Sequence, residues 1–315
     1  MHRTTLALAA LGLLVSSAAI AQSPAPFNLI PLDHGAWAAI DNPAAKEAQS
    51  GSNAGFVIGP EGVAVIDTFE SPDAAKRMLA AIQEKTKLPV HFVINTHYHL
   101  DHVAGNDAFA AAGAVVIAQD NVRDWERTEN LKFFGSKITA DQRKFVETLG
   151  LPTVTYTQGA TIYLGDDRKV ILRVMPGHTG GDTVVYDPES NVVFCGDLFW
   201  NHTLPNLIDA STNLWIETLD KLLADYPTAT FVPGHGDQPG HAPEVRAFRD
   251  YLAFLRAAIA KAQSEGKQGD ALLHTVLPQV KEKYGSWNFF DFATPDIQRT
   301  DEELRGVKKI PKPKA

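Results

Sequence analysis

The chain has 315 residues, of which 44% are hydrophobic, and its formal net charge is −8. This length and apolar content are sufficient for a large buried core. The acidic balance excludes a protein that binds nucleic acid through a basic surface, so no nucleic-acid partner is expected. The single cysteine, Cys195, excludes an internal disulfide and is expected to be a small buried core residue.

The first 21 residues have the composition of an export signal. Arg3 precedes an apolar run at residues 6–15, and small residues end at Ala21. The run is too short to span a bilayer comfortably, which favours a cleaved signal peptide (residues 1–21) over a retained anchor. We therefore expect a secreted or periplasmic protein with no membrane association after cleavage. Nothing in the sequence indicates its oligomeric state.

Strands alternate with helices in the first half of the chain. Ser71 and Pro72 predict the start of a helix, and another helix is predicted from about Asp101 to Ala112. Short strands rich in valine and isoleucine are predicted at residues 36–40, 54–59, 62–67, 89–96 and 114–118. This alternation predicts an α/β fold, with polar residues at the carboxyl ends of strands.

The second half repeats the order of sheet followed by helices. Strands are predicted in the segments TIYLG, KVILRVMPGH, DTVVYDP, NVVFCGDLFW and TFVPGH. Helices are predicted at residues 214–224 and 242–262, and the basic tail at 308–315 is expected to be disordered. Residues 130–150 are less periodic and are expected to form a lid or a wall of a site. The similarity of the halves predicts a sandwich with one helix layer on each outer face.

The segment NTHYHLDHVAGN, residues 95–106, concentrates metal-binding side chains. In an extended chain, side chains two residues apart point the same way, so His97 and His99 can share one metal ion. Asp101 and His102 lie at the turn into a helix and suit a second ion. The alternative is a helix capped by Asp101, but this accounts for neither His97 nor His99.

Further strand ends carry the same residue types. His178 and His235 each follow a Pro-Gly pair, Asp197 ends the strand VVFCG, and Asp67 ends AVID. Glycine allows the sharp turn that brings an imidazole to the rim of a sheet. Four other histidines lack any such pattern and are expected to be surface or structural residues: His34, His91, His241 and His274.

These motifs together resemble the metallo-β-lactamase superfamily. The pattern is His97-x-His99-x-Asp101-His102, followed in order by His178, Asp197 and His235 and preceded by Asp67. The resemblance covers residues 36–240 and implies an α/β fold of the αβ/βα four-layer sandwich type. It also implies that residues 22–307 form one catalytic domain, in which a helical C-terminal extension follows the motif-bearing part.

The resemblance implies a dinuclear centre that binds two Zn2+ ions per chain. The implied ligands are His97, His99 and His178 for the first ion and Asp101, His102 and His235 for the second. Asp197 is the implied bridge between the ions, and Asp67 is expected to orient the signature loop from behind it.

The implied chemistry is hydrolysis of a small molecule. Zinc lowers the pKa of bound water to about 7, which supplies a hydroxide that attacks a carbonyl. Asp101 is the candidate catalytic residue, because it can orient the nucleophile and relay its proton. An alternative use of the same ligands is iron-dependent redox chemistry, as in relatives that oxidise persulfides, since nitrogen and carboxylate ligands suit either metal.

The substrate class is left open between a β-lactam amide and a lactone or ester. Asp197 stands where the lactamases have Cys or Ser, which favours the pattern of thioesterases like glyoxalase II, and of lactonases. Trp200 replaces the lysine that holds a lactam carboxylate, with Lys132 or Lys137 as possible substitutes. A glyoxalase II-like thioesterase is the weaker alternative, because we find no match to its glutathione site in the C-terminal helices.

Two rim segments carry aromatic side chains. Trp200 and His202 lie in the segment 199–211, and Phe133 and Phe134 lie in the segment 130–137. We expect these residues to form an apolar wall that suits a ring or an acyl chain. The alternative is that the aromatic residues belong to the ordinary core.

Overall fold

The computed structural model describes residues 24–45 and 49–312, so the predicted signal peptide lies outside the described residues. Two sheets form the centre of the molecule. The first contains β1 (Phe27–Pro31), β2 (Ala36–Asp41), β3 (Ala54–Ile58), β4 (Val63–Ile66), β5 (Val90–Ile94), β6 (Val115–Gln119) and β7 (Val154–Tyr156), in that order. Its first four strands pair antiparallel, and β4 to β7 pair parallel.

The second sheet has the order β12-β11-β10-β9-β8. Its strands are β8 (Gly159–Tyr163), β9 (Lys169–Val174), β10 (Thr183–Asp187), β11 (Val192–Phe194) and β12 (Thr230–Val232). Only β11 and β12 pair parallel, and the other neighbours pair antiparallel. The parallel pair brings the carboxyl ends of β11 and β12 to one edge.

The helices of the described chain follow the predicted alternation. They are α1 (Pro72–Lys85), α2 (Leu100–Val103), α3 (Asn106–Ala111), α4 (Asp120–Trp125), α5 (Ala140–Glu147), α6 (Thr212–Asp225), α7 (Ala242–Ser264), α8 (Gly269–Tyr284) and α9 (Ala293–Leu304). Ser71 caps α1 by accepting a hydrogen bond from the Ala74 amide. No helix within residues 24–45 and 49–312 is long and apolar enough to cross a membrane.

Three apolar layers hold the four layers of secondary structure together. Side chains such as Phe56 and Met78 pack α1 and α3 against the outer face of the first sheet. Ile66 and Phe194 belong to the core between the two sheets. Buried side chains of α6 and α7 cover the outer face of the second sheet, as Trp215 does. The αβ/βα four-layer sandwich is thereby confirmed.

Most of the predicted strands and helices are observed, and the structure adds α5, α8 and α9, for which the sequence predicted no bounds. Three further differences concern single residues or short segments. The helix predicted over 101–112 is broken into α2 and α3 at Gly105, where an added Cβ would lie 2.2 Å from the Thr68 carbonyl oxygen. Strands β1 and β7 were not predicted. Lys308 begins the tail expected to be disordered, yet its Nζ donates hydrogen bonds to the carbonyl oxygens of Leu207 and Ala210 at 2.7 and 2.5 Å.

The solvent exposure of individual side chains tests the predictions for Cys195 and for four histidines. Cys195 is buried at 1% exposure, as predicted, and burial raises the pKa of its thiol. The four histidines without a pattern are exposed, which confirms their assignment to the surface: His34, His91, His241 and His274.

Candidate metal centre

The candidate ligands meet at one edge of the sandwich. His97 and His99 follow β5, Asp197 follows β11 and His235 follows β12, while His178 lies in the turn between β9 and β10. The Pro-Gly-His turn at residue 234 requires glycine, because an added Cβ there would lie 2.1 Å from Oδ1 of Asp197. Close backbone approach at this turn therefore brings His235 to the centre.

The first metal-binding group joins three histidines and one carboxylate. Its members offer ligand atoms that all lie within 4.8 Å of one another: His97, His99, His178 and Asp197. Nε2 of His178 lies 2.9 Å from Nδ1 of His99 and 3.1 Å from Oδ2 of Asp197. This group contains the three histidines predicted for the first ion.

The second group contains the other three predicted ligands, Asp101, His102 and His235. Oδ2 of Asp101 lies 3.2 Å from Nε2 of His235 and 3.5 Å from Nε2 of His102. Asp101 is 28% exposed at its side chain, whereas both histidines are buried. Asp101 is therefore the most exposed member of this group.

Asp197 lies between the two groups, with one oxygen directed to each. Its Oδ2 is 3.1 Å from Nε2 of His178. Its Oδ1 is 3.1 Å from Nε2 of His102 and 3.4 Å from Nε2 of His235. A carboxylate in this position can bridge two cations.

The buried donor atoms fit a bound cation. Nε2 of His97, Nε2 of His102 and Oδ1 of Asp197 are buried and form no well-aligned hydrogen bond with a described residue, although the last two atoms lie 3.1 Å apart. Such atoms are costly to bury unless something binds them. Imidazole nitrogen and carboxylate oxygen without thiolate suit zinc or iron.

The electrostatics of the site also favour positive charge. Burial raises the pKa of Asp197, but the surrounding histidines outweigh burial and hold it well below its usual range. Burial lowers the pKa of His97 well below its usual value, which leaves a neutral ring that can bind metal. Burial also opposes a charge on His102, yet Asp197, Asp101 and Asp67 together raise its pKa well above the usual value. These carboxylates attract a cation to this point.

Asp67 lies behind the ligands and contacts two of them, one directly and one through Thr96. Its Oδ2 lies 2.9 Å from Nδ1 of His102, which directs Nε2 of that ring to the centre. Oγ1 of Thr96 donates a hydrogen bond to Asp67 at 2.7 Å and lies 3.1 Å from Nδ1 of His97. The single proton of that hydroxyl is donated to Asp67, so the hydroxyl oxygen accepts a hydrogen bond from Nδ1 of His97. Nε2 of His97 is then unprotonated and free to bind a metal ion.

Asp209 contacts His99 in the way that Asp67 contacts His102, through the ring nitrogen that faces away from the centre. Asp209 was not predicted from the sequence. Oδ2 of Asp209 lies 3.2 Å from Nε2 of His99 and also accepts from the Tyr98 hydroxyl. Nζ of Lys132 donates to Oδ1 of Asp209 at 2.5 Å. Asp209 follows no strand, and the one available signal was an acidic residue within the rim segment 199–211.

A cavity of about 240 Å³ opens onto the candidate ligands His99, Asp101, Asp197 and His235. Its aromatic lining consists of Phe133, Trp200, Phe289 and Phe292. The Trp200 ring stacks on the His235 ring with centroids 3.9 Å apart. The polar lining outside the ligands is Glu70 and Asn206.

Two of the four predicted wall residues line this cavity, and two do not. Phe133 and Trp200 are in its lining, as expected. Phe134 instead packs against the cluster of Val103 and Val146, because the 129–137 segment directs adjacent side chains apart. His202 is exposed, and its ring meets Trp287 outside the cavity.

The C-terminal extension supplies the lining that sequence reasoning missed. Phe289 and Phe292 lie at the turn between α8 and α9, about 90 residues beyond the rim segment that carries Trp200. Neither side chain follows a strand or belongs to a motif. Their position in the cavity lining depends on the way the C-terminal helices fold back over the site, which the sequence does not show.

Lys132 and Lys137 are not free anionic anchors in the cavity. Lys132 forms an ion pair with Asp209, and Lys137 is exposed. Neither lysine contributes to the cavity lining. Both suggested substitutes for the missing lactam-binding lysine are therefore wrong for this cavity.

The fold and the paired histidine and aspartate groups define the class of protein: an αβ/βα sandwich with a metal centre at the edge of its sheets. The family model of the metallo-beta-lactamase superfamily matches residues 49–235. The chain therefore belongs to the metallo-β-lactamase superfamily, whose members include metal-dependent hydrolases.

Curated relatives have several different activities. A linear primary-alkylsulfatase from Pseudomonas sp. is 25% identical, over 72% of this chain and 52% of that protein. A metallo-beta-lactamase type 2 from Bacteroides fragilis is 25% identical, over 60% of this chain and 70% of that protein. A hydroxyacylglutathione hydrolase from Brucella anthropi is 30% identical, over 55% of this chain and 56% of that protein. The chain thus spans little more than half the length of two of these relatives.

Solved structures agree on the fold. A metallo-beta-lactamase from Pontibacter korlensis superimposes with a TM-score of 0.59 at 24% identity, covering 72% of this chain and 99% of that chain. At this identity the likeness concerns the sandwich alone.

Proposed function

We propose that the protein is an exported dinuclear-zinc hydrolase that cleaves an ester or lactone bond of a small molecule. The observation that carries the proposal is the position of Asp197, whose two oxygens face two separate groups of ligands. A centre for a single ion would leave the second group of candidate ligands, Asp101, His102 and His235, without an ion.

Seven residues of the chain would hold the two zinc ions. The first ion would be held by His97, His99 and His178, the second by Asp101, His102 and His235, with Asp197 between them. Bound zinc supplies Lewis acidity and lowers the pKa of water to about 7.

Asp101 is the proposed proton relay. Burial raises its pKa, but His102 and His235 outweigh burial and lower it, so the carboxylate is ionised and can accept a proton. Its side chain lines the cavity, within reach of an attacking water and of a leaving group. Asp101 would take the proton from the water and return it to the leaving oxygen.

The aromatic lining favours an apolar substrate over an anionic one. Within the part of the chain that the structure describes, no lysine or arginine lines the cavity. A β-lactam with a carboxylate would lack a lysine or arginine partner there, and so would the sulfate of an alkyl sulfate. β-Lactams and alkyl sulfates remain second candidates for the substrate, because relatives of this chain include a lactamase and an alkylsulfatase. The apolar lining itself also suits an alkyl chain.

We also propose that the mature chain begins after Ala21 and works in the periplasm or outside the cell, as a protein that binds neither nucleic acid nor membrane. Cell fractionation with N-terminal sequencing tests this. A mature chain that starts at Gln22 in the exported fraction supports it, and a full-length cytoplasmic chain contradicts it.

A hydrolysis panel tests the activity. The zinc-loaded protein is assayed with p-nitrophenyl acetate, a lactone, a glutathione thioester, nitrocefin and a linear alkyl sulfate. We expect the ester or the lactone to be cleaved fastest and His97→Ala to abolish the cleavage, whereas the matched surface variant His274→Ala retains it. Full activity in His97→Ala, or turnover of nitrocefin or alkyl sulfate alone, contradicts the proposal.

A further inference from the structure

We propose that the cavity selects substrates that carry an ammonium group, which Glu70 and the aromatic rings bind while the ester lies at the metal centre. This inference rests on the proposed function, since it names the substrate class of the same site.

Three of the aromatic rings that line the cavity contact one another. The Trp200 ring lies 6.3 Å from the Phe289 ring and 6.4 Å from the Phe292 ring, and the latter two are 6.1 Å apart. All three pairs are edge-to-face, with interplanar angles of 71 to 90°. One face of Trp200 is covered by His235, and the ring faces that remain open to the cavity can attract an ammonium group.

Two aromatic side chains at the cavity face solvent at substantial cost. Phe289 is 51% exposed and Phe133 is 37% exposed. Large exposed rings beside a concave site indicate a surface that a ligand covers. The apolar area that a substrate buries there contributes to its binding.

Glu70 supplies negative charge to the same cavity. Its side chain lines the cavity, and no described residue donates a hydrogen bond to its carboxylate. The carboxylate lies over Gly51, where an added Cβ would be 2.5 Å from Oε2 of Glu70.

The combination favours a cationic group over an uncharged group of the same shape. The Glu70 carboxylate and the aromatic ring faces attract a cation, and both belong to the lining of this cavity. Cation–π contacts contribute about 0.5 to 2 kcal/mol, so a cationic group should gain about tenfold over an uncharged group of the same shape.

The test compares two acetate esters that differ only in charge. Acetylcholine carries a trimethylammonium group, and 3,3-dimethylbutyl acetate carries a tert-butyl group in its place. We expect kcat/KM of the zinc-loaded enzyme to be about tenfold higher for acetylcholine. In Glu70→Gln this ratio should fall to within about twofold of one, whereas Glu84→Gln, which changes an exposed glutamate on α1, should keep the ratio of the parent enzyme.

Binding of the corresponding alcohols, measured by calorimetry, gives a readout that does not need turnover. We expect choline to bind the parent protein about tenfold more tightly than 3,3-dimethylbutan-1-ol, and the difference to disappear in Glu70→Gln. The ammonium inference is overturned if the charged and uncharged esters have equal kcat/KM and the two alcohols bind equally. The hydrolase proposal stays intact in that case if both esters are cleaved. Cleavage of neither ester, with choline still preferred in binding, contradicts the esterase proposal alone. A preference that persists in Glu70→Gln overturns the role of Glu70.

Discussion

Asp209 and His99 are joined through the nitrogen of the imidazole that faces away from the metal centre. Oδ2 of Asp209 lies 3.2 Å from Nε2 of His99, while Nδ1 of the same ring lies 2.9 Å from Nε2 of His178. Because a carboxylate accepts the hydrogen bond, Nε2 carries the proton and Nδ1 keeps its lone pair. Asp209 thus sets the ring nitrogen that is free for metal.

Replacing Asp209 should weaken metal binding without removing a ligand. In Asp209→Asn the charge opposite His99 is lost, and the ring is no longer held in one tautomer. We expect zinc affinity to fall by about 10- to 100-fold. Competition with a chromophoric chelator measures the change, and Asp270→Asn, an exposed aspartate in α8, is the matched control. Unchanged affinity in Asp209→Asn would remove its assigned role.

Asp67→Asn should affect the second ion more than the first. Asp67 contacts His102 directly but reaches His97 only through Thr96. We expect the affinity of one zinc-binding step to fall by about 10- to 100-fold, with a smaller loss in the other step. Calorimetry resolves the two steps. Equal losses in both steps would contradict the assignment of Asp67 chiefly to His102.

Arg168 stabilises the sandwich away from the site. Its guanidinium contacts both carboxylate oxygens of Asp187 at the end of β10 and donates to the His34 carbonyl oxygen at 2.9 Å, before β2. Arg168→Met leaves a buried carboxylate without its cationic partner, so the free energy of unfolding should fall by about 3 to 5 kcal/mol. Urea denaturation measures this. Arg143→Met, in an exposed pair with Glu147, should lose less than about 1 kcal/mol, and a similar loss in both variants would contradict the account.

Glu126 should make stability depend on pH. Both carboxyl oxygens are buried without a hydrogen-bond partner among the described residues, and burial raises the pKa well above its usual value. The folded state therefore holds this proton at pH values where the unfolded chain has lost it, so stability is lost as pH rises above about 4.5. Glu126→Gln should unfold at higher urea than the parent protein at about pH 7.5, with a smaller gain at about pH 4.5. These measurements are made on chelator-treated protein, and a gain that does not grow with pH would contradict the assignment.

The sequence predicted which side chains meet at the candidate metal centre, because local rules govern their positions. His97 and His99 lie two residues apart in the segment between β5 and α2, and Pro-Gly turns bring His178 and His235 to the rim. The break at Gly105 was missed, because it arises from a close contact with Thr68, far away in the sequence.

The walls of the cavity follow from tertiary packing, which sequence patterns do not record. Phe133 and Phe134 are adjacent and equally apolar, yet one lines the cavity and the other packs against Val103. Phe289 and Phe292 reach the site only because the C-terminal helices fold back over it. The residues that line the cavity were therefore harder to predict from the sequence than the candidate metal ligands.

The central claim is that seven residues of this chain hold two zinc ions bridged by Asp197. The most direct test is elemental analysis by mass spectrometry of protein purified from cells supplied with both zinc and iron, beside the Asp197→Ala variant. The account predicts about two zinc ions per chain in the parent protein and fewer than one in the variant. Two irons and no zinc, or a full zinc content in Asp197→Ala, would contradict it.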